Sequence, residues 1–137
     1  MELSIKLNNN PVVADIFIRE HENLTTTKHT TDEDGKFAAY HLPEQQHYDI
    51  FAFHISNDAL YVSQLLYKEG TQLKDSQFTL NLKKFKPVSG DDVNFILGII
   101  RKFYQHISPK LLSSILRSLT QRSKLINLNE VRHRRLL

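Results

Sequence analysis

The chain contains no cysteine, and only four of its 137 residues are glycine and four are proline. Without cysteine it can form no disulfide, thiolate nucleophile or Cys-based zinc or iron–sulfur site. The low glycine and proline contents exclude collagen-like and low-complexity chains. A small domain in this chain must therefore be stabilised by its hydrophobic core.

Long apolar runs are also missing. Residues 1–6 lack the basic and apolar regions of a signal peptide. No stretch approaches the roughly 20 apolar residues of a membrane-spanning helix. Together with the lack of cysteine, this predicts a cytoplasmic protein.

Glycine-rich phosphate-binding loops and the Gly-x-Ser-x-Gly nucleophile motif are absent as well. The sequence therefore predicts no cofactor and no catalytic residue, and it favours a protein that is not an enzyme.

Charge is distributed unevenly, although the net charge is only +3. Residues 1–100 carry nine Lys/Arg and fourteen Asp/Glu, whereas residues 101–137 carry nine Lys/Arg and a single acidic residue, Glu130. Such asymmetry is typical of a basic tail that meets an anionic partner or folds back on an acidic domain.

The first part of the chain has the period-two pattern of half-buried strands. Its turns include Asp34-Gly35, a strong tight-turn signal. The spacing predicts a mainly β fold, a sandwich or a barrel. The seven predicted strands are 3–7, 12–18, 25–31, 36–42, 48–55, 60–67 and 78–82.

Beyond residue 87 the pattern becomes helical, which predicts a β domain over 1–87 and a basic amphipathic extension of two or three helices over 88–137. Ser89 with Asp91 and Asp92 predicts one helix start. Ser108-Pro109 predicts a second, with Ser as the N-cap and Pro at the first helical position. Residues 125–137 form either a third short helix or a loose end.

Three segments of the β part share a family pattern. Residues 31–37 are Thr-Asp-Glu-Asp-Gly-Lys-Phe, residues 42–43 are Leu-Pro, and residues 48–50 are Tyr-Asp-Ile. With the β-branched strand 11–18, residues 1–86 resemble the carboxypeptidase regulatory-like domain of the transthyretin-like (prealbumin-like) group. The family's usual glycines before the second strand are replaced here by Asn9 and Asn10.

The resemblance implies a seven-stranded Greek-key sandwich that acts as an accessory, adhesive or docking module. It brings no catalytic residue. A relative in the same fold group, hydroxyisourate hydrolase, uses His and Arg residues and a Tyr-Arg-Gly-Ser C-terminus, whereas this chain ends in Arg-Arg-Leu-Leu. The helical extension lies outside the family pattern.

Five histidines fall within the β domain: His21, His29, His41, His47 and His54. His41 and His54 could meet on adjacent strands, but the spacing of the histidines favours exposed or cross-strand positions over a metal site. The clustered carboxylates of Asp32, Glu33 and Asp34 raise the possibility of a calcium site. The loop lacks the six to eight oxygen ligands that calcium takes, so a solvated hairpin turn is favoured. No metal site is predicted.

The helical extension carries the predicted partner-binding residues. Its apolar residues recur at helical spacing, and cations line the opposite face. The apolar residues are Ile96, Ile100, Phe103, Ile107, Leu112, Ile115, Leu116 and Leu119. The basic residues are Lys110, Arg117, Lys124, Arg132, Arg134 and Arg135.

The leading hypothesis is a non-catalytic protein-binding or assembly module. The sandwich would dock one partner, and the helices would mediate oligomerisation or attachment to a larger complex. The tail could instead pack on its own sandwich, or hold the protein on an anionic membrane surface. Nucleic acid is disfavoured because aromatic residues that could stack on bases are missing after Tyr104. A small hydrolase or metal-binding protein that uses the histidines is a further alternative.

Overall fold

The structure is a computed structural model, and it describes residues 1–56, 58–86 and 89–117. The predicted mainly β class is confirmed. The chain divides into two compact units, Met1–Phe85 and Lys86–Leu137. The division falls two residues from the boundary expected from the change in periodicity.

The β unit contains nine strands within its described residues and one short helix. The helix, α1, is a single turn at Gly70–Leu73. The strands are β1 (Glu2–Leu7), β2 (Asn10–Pro11), β3 (Asp15–Glu20), β4 (Thr26–Thr30), β5 (Lys36–Ala38), β6 (His47–Ser56), β7 (Ala59–Val62), β8 (Leu66–Glu69) and β9 (Gln77–Lys84).

These strands form one curled sheet in the order β2-β1-β9-β7-β6-β3-β4, with β5 beside β1 and β8 beside β6. The β1 and β9 strands run parallel, and the other pairs are antiparallel. The two halves of the sheet join where β7 meets the end of β9 through the pairs Tyr61–Lys84 and Val62–Lys83.

The count of nine differs from the predicted seven, mainly because the predicted strand 60–67 is split into β7 and β8. Ser63 lies at the break, where its Oγ accepts a hydrogen bond from the Ala52 amide at 2.8 Å. Both pieces pair with β6, β7 on its second half and β8 on its first half. The very short β2 accounts for the other additional strand.

The core of the β unit is formed by alternating residues from both halves of the sheet. Leu3, Ile5 and Leu80 come from one half, and Ile16 and Ile50 from the other. The opposite face of β3 and β6 carries a second buried cluster. Its members are Phe17, Phe51 and Phe53, with ring centroids 5.0–5.5 Å apart.

The segment that carries the family resemblance is a tightly bonded turn. The buried Thr31 hydroxyl accepts a hydrogen bond from the Ala14 amide at 2.9 Å. Asp32 Oδ1 accepts from the amides of Asp34 and Lys36, both at 2.9 Å. Gly35 has φ +71°, and a Cβ there would lie 2.5 Å from the Ile5 carbonyl oxygen, so only glycine fits.

A second interlocked region surrounds the Leu-Pro loop. The buried Tyr48 donates its hydroxyl hydrogen to the Pro43 carbonyl oxygen at 3.0 Å. Gly70 approaches the same loop so closely that a Cβ would lie 2.1 Å from that oxygen. The family-like residues therefore have structural roles, which connect loops to the core.

The helical unit begins with α2 (Gly90–Phe103). Ser89 caps it, since its side chain accepts from the Asp92 amide while the Asp92 carboxylate accepts from the Ser89 amide. This confirms the predicted helix start. A further helical segment, residues 109–117, is called the distal helix below. Across the three described ranges, no helix combines the length and the apolar character needed to cross a membrane.

Candidate functional site

The distal helix begins at the Ser-Pro pair. The Ser108 Oγ accepts hydrogen bonds from the amides of Lys110 at 3.2 Å and Leu111 at 3.4 Å. Pro109 occupies the first helical position, where its missing N–H leaves no hydrogen bond unmade. The local sequence thus fixes where the helix starts, and hence which side chains lie on each face.

The distal helix has a buried apolar side and an exposed apolar side. Leu111 and Ile115 are only 2% and 3% exposed. Leu112 and Leu116 are 37% and 40% exposed, and they lie four residues apart, so they are neighbours on one face. The distal helix therefore leaves part of its apolar surface exposed.

Exposed cations accompany these leucines. Lys110 and Arg117 are both exposed, and at 100° per residue they lie about 100–160° around the helix from the two leucines, on a separate part of the exposed surface. The two leucines, Leu112 and Leu116, are called the exposed helix face below. Both leucines and both cations were predicted to bind a partner.

Other predicted partner-binding residues lie in different environments. Ile96, Ile100 and Ile115 are buried, so they are not surface residues in this conformation. Phe103 and Ile107 are half-buried. Leu119, Lys124, Arg132, Arg134 and Arg135 lie outside the described residues.

The apolar stripe predicted from the sequence included Ile115 but not Leu111, although the structure buries both residues. The signal was present in the doublets Leu111-Leu112 and Ile115-Leu116. A doublet at each turn supplies apolar residues to two adjacent faces, and periodicity alone does not say which face is buried.

Two histidines each lie beside a carboxylate, and the sequence predicted neither of these contacts. His21 Nε2 lies 2.7 Å from Asp49 Oδ2, and His47 Nε2 lies 3.2 Å from Glu69 Oε1. The exposed Tyr67 contacts both imidazoles, stacking on His47 and meeting His21 edge-on. Each of these histidines therefore contacts a single carboxylate on a neighbouring strand. The contact fixes the positions of both side chains.

His41 and His54, which the sequence allowed to meet on adjacent strands, do not meet. His41 is exposed outside the strands, whereas His54 lies on β6 with its Nδ1 2.8 Å from the Val13 carbonyl oxygen. Among the described residues, no group of three or more His, Asp or Glu side chains could hold a metal ion. In the acidic turn, the Asp32 carboxylate accepts hydrogen bonds from backbone amides, which gives this residue a structural role.

An open groove of about 580 Å³ crosses β5, β1 and β9. The Glu2 carboxylate on its wall accepts hydrogen bonds from the Tyr40 hydroxyl at 3.3 Å and from Gln77 Nε2 at 3.1 Å. These bonds hold Glu2 within the sheet surface. The groove is polar and open, unlike the mostly apolar clefts that usually enclose small molecules.

Buried Tyr48 has a clear pKa shift. Burial raises its pKa above the ordinary value of 10.0, and the nearby carboxylates of Glu20 and Glu22 raise it further. The phenol therefore stays protonated and continues to donate to Pro43.

Comparison with family models, with curated proteins and with solved structures finds no match for this chain. Its function is therefore inferred from its own geometry.

Proposed function

We propose that this protein is a non-catalytic binding or assembly module, and that the exposed helix face attaches it to a partner. The observation that supports this is the pair of exposed leucines, Leu112 and Leu116, on a helix that already buries Leu111 and Ile115. Leucines left at the surface of a helix form a small apolar docking surface, of the kind used when a helix enters a partner's groove.

The β unit would serve as the scaffold and as a second docking surface. We propose that it adopts the Greek-key sandwich of the carboxypeptidase regulatory-like and transthyretin-like group. Support comes from a core contributed by both halves of the curled sheet, and from the structural roles of Thr31, Gly35 and Tyr48 in the segments that resemble the family. The extension of two or three helices and the cytoplasmic location remain parts of the same proposal.

The test compares two matched double variants of the full chain. Leu112→Ala with Leu116→Ala removes the exposed leucines of the helix. Leu24→Ala with Leu65→Ala removes two leucines of the β unit that are more exposed than those of the helix. Light scattering after size exclusion measures self-association, and affinity capture from extracts of expressing cells measures attachment to other proteins.

The helix variant is expected to lose self-association or a captured partner, and the β variant is expected to retain it. If the wild-type chain is a strict monomer that captures nothing, or if both variants behave like the wild type, the proposal is wrong.

A membrane surface is the alternative, because a helix that exposes two leucines on one side and Lys110 and Arg117 on another could also lie on an anionic bilayer. Co-sedimentation with phosphatidylserine-containing vesicles tests it. Binding that falls in high salt and in the Leu112→Ala/Leu116→Ala variant would favour the membrane. Equal sedimentation with and without vesicles would remove this alternative.

A further inference from the structure

One side of α2 carries four exposed residues in a row along the helix. At 100° per residue they lie within an arc of about 60°, and the buried residues of α2 centre on the opposite side. The four exposed residues are called the α2 stripe below, and it is separate from the exposed helix face, which lies on the distal helix. They are Asp91, Phe95, Gly98 and Lys102.

The middle of the α2 stripe combines a large side chain with an open position. Phe95 is 36% exposed. Three residues further on, a Cβ built on Gly98 would meet no neighbouring atom of the described residues within 4 Å. Glycine inside a helix is destabilising relative to alanine, and packing within the described part of the chain does not require it here. A close approach by another molecule would account for it.

The two ends of the α2 stripe carry opposite charges. Asp91 lies in the first turn of α2 and Lys102 in the last. The Lys102 ammonium lies 5.2 Å from the Phe103 ring centroid, and the lysine remains exposed. Asp91 and Lys102 are about 16 Å apart along the helix axis, too far to pair with each other. Each can therefore form an ion pair only with a charge from outside the α2 stripe.

We infer that the α2 stripe joins two copies of this protein, with the two α2 helices antiparallel about a two-fold axis. The midpoint of Asp91 and Lys102 along the chain lies between residues 96 and 97, and this is also the midpoint of Phe95 and Gly98. A single axis at that point therefore brings both pairs together. Each Asp91 then lies beside the partner's Lys102, and each Phe95 covers the partner's Gly98.

A second copy is the occupant that this surface fits, because the α2 stripe contains both halves of each contact. It supplies both charges, and it supplies both the aromatic ring and the open position that the ring covers, in the order that a two-fold axis requires. A parallel pair would instead set Asp91 against Asp91 and Lys102 against Lys102. Antiparallel pairing also places the two helix dipoles in opposite directions.

The inference goes beyond the proposed function, which assigns partner binding to a different surface. A contact between two single helices is small compared with the roughly 1,600 Å² of a standard protein interface. We therefore expect a weak dimer that forms reversibly as the protein concentration rises. Sedimentation velocity over a range of concentrations of the full chain measures its dissociation constant.

The main experiment mixes two charge-reversed variants. Asp91→Lys alone and Lys102→Glu alone each bring two pairs of like charges together in a dimer, and each should weaken the dimer about fivefold or more. When the two variants are mixed, each reversed residue meets its opposite, so the heterodimer should be about as strong as the wild-type dimer. Any loss of helix stability in either variant persists in the mixture, so recovery on mixing reports the contact itself.

Filling the open position tests the middle of the α2 stripe. Gly98→Gln should weaken the dimer about tenfold or more without lowering the stability of the chain to unfolding. The matched control is Gly90→Gln, the same change at a glycine of α2 that also has no described neighbour within 4 Å but lies about 110° around the helix from the stripe. The control should dimerise like the wild type.

Disulfide trapping tests the direction of the two helices, since the chain has no cysteine of its own. A mixture of Asp91→Cys and Lys102→Cys chains should form the mixed disulfide faster than either variant crosslinks to itself. Glu33→Cys mixed with Lys84→Cys, at exposed positions of the β unit, is the control and should show no such preference. Faster self-crosslinking at residues 91 and 102 would contradict antiparallel pairing.

The remaining outcomes separate this inference from the proposed function. A wild-type chain that stays monomeric at every concentration, or a mixture that associates no better than its single variants, would overturn the inference. A dimer that survives Gly98→Gln but is lost in Leu112→Ala/Leu116→Ala would overturn it as well, and would support the proposed function. A dimer that is lost in Gly98→Gln, while the leucine variant changes no association, would support the inference and count against the proposed function.

Discussion

The β unit and the distal helix arrange their exposed leucines differently. The residues of the β unit on which the proposed family resemblance rests are engaged within the fold, as Thr31 with Ala14 and Tyr48 with Pro43 illustrate. The β unit exposes Leu24 and Leu65 outside its strands, whereas the distal helix exposes Leu112 and Leu116 one turn apart on one face. We therefore assign the scaffold role to the β unit and place the proposed binding surface on the helix.

The largest expected effect comes from separating the two sides of the distal helix. Leu111→Ala removes a buried side chain and should destabilise the protein by about 2–5 kcal/mol. Leu112→Ala removes an exposed one and should change stability by less than about 0.5 kcal/mol. Urea unfolding of both variants measures the difference. Equal losses would mean that the two leucines share one environment, contrary to the comparison.

Glycine substitutions should distinguish the two units next. Gly35→Ala places a Cβ against the Ile5 carbonyl oxygen at positive φ, and should cost about 2–4 kcal/mol. Gly98→Ala is the control in α2, where a Cβ meets nothing within 4 Å. It should stabilise the helix by about 0.5–1 kcal/mol. Thermal unfolding measures the stability of both variants. A Gly35→Ala variant as stable as the wild type would disprove the close approach of residue 35 to the Ile5 carbonyl oxygen.

How far the sequence predicts the structure depends on whether the cause is local. The turn at Asp32 to Gly35 follows from the chemistry of four successive residues, and its position was predicted. The pairing of His21 with Asp49 depends on the register of β3 against β6, and His47 meets Glu69 through β6 and β8. Register is a property of the whole sheet, so the sequence alone identified neither pairing and allowed only a meeting of His41 with His54.

The candidate site shows the same limit. Periodicity identified Leu112 and Leu116 as apolar residues of a helix face, and Ser108-Pro109 located the start of that helix. Periodicity could not decide which of the two adjacent faces is buried, since packing against other elements decides it. For that reason Ile115 was grouped with the partner-binding residues, although the structure buries it.

Within the β unit, the hydroxyl of Tyr48 should contribute measurably to stability. Tyr48→Phe keeps the ring and removes the hydrogen bond to the Pro43 carbonyl oxygen, which should cost about 1–2 kcal/mol. Tyr40→Phe is the control, because it removes only the long, exposed hydrogen bond to Glu2 and should cost less than about 0.5 kcal/mol. Chemical denaturation measures both variants, and similar losses would remove the special role of Tyr48.

The smallest expected effect is a dependence on alkaline pH. Because the pKa of Tyr48 is raised above 10.0 in the folded state, the unfolded chain loses this proton first as pH rises. The stability contribution is therefore complete below about pH 10 and decreases as pH rises toward the folded pKa. Stability measured from pH 9 upward should fall less steeply in Tyr48→Phe than in the wild type. Identical slopes would contradict the shift.

The role of the exposed helix face can be tested most directly by site-specific photo-crosslinking in expressing cells. A photoreactive amino acid replaces Leu112 or Leu116 in one set of chains, and Leu24 or Leu65 in the matched set. The helix positions are predicted to form covalent adducts with a protein that the β-unit positions do not capture. Adducts from the β-unit positions alone, or from no position, would contradict the assignment of the binding surface to the distal helix.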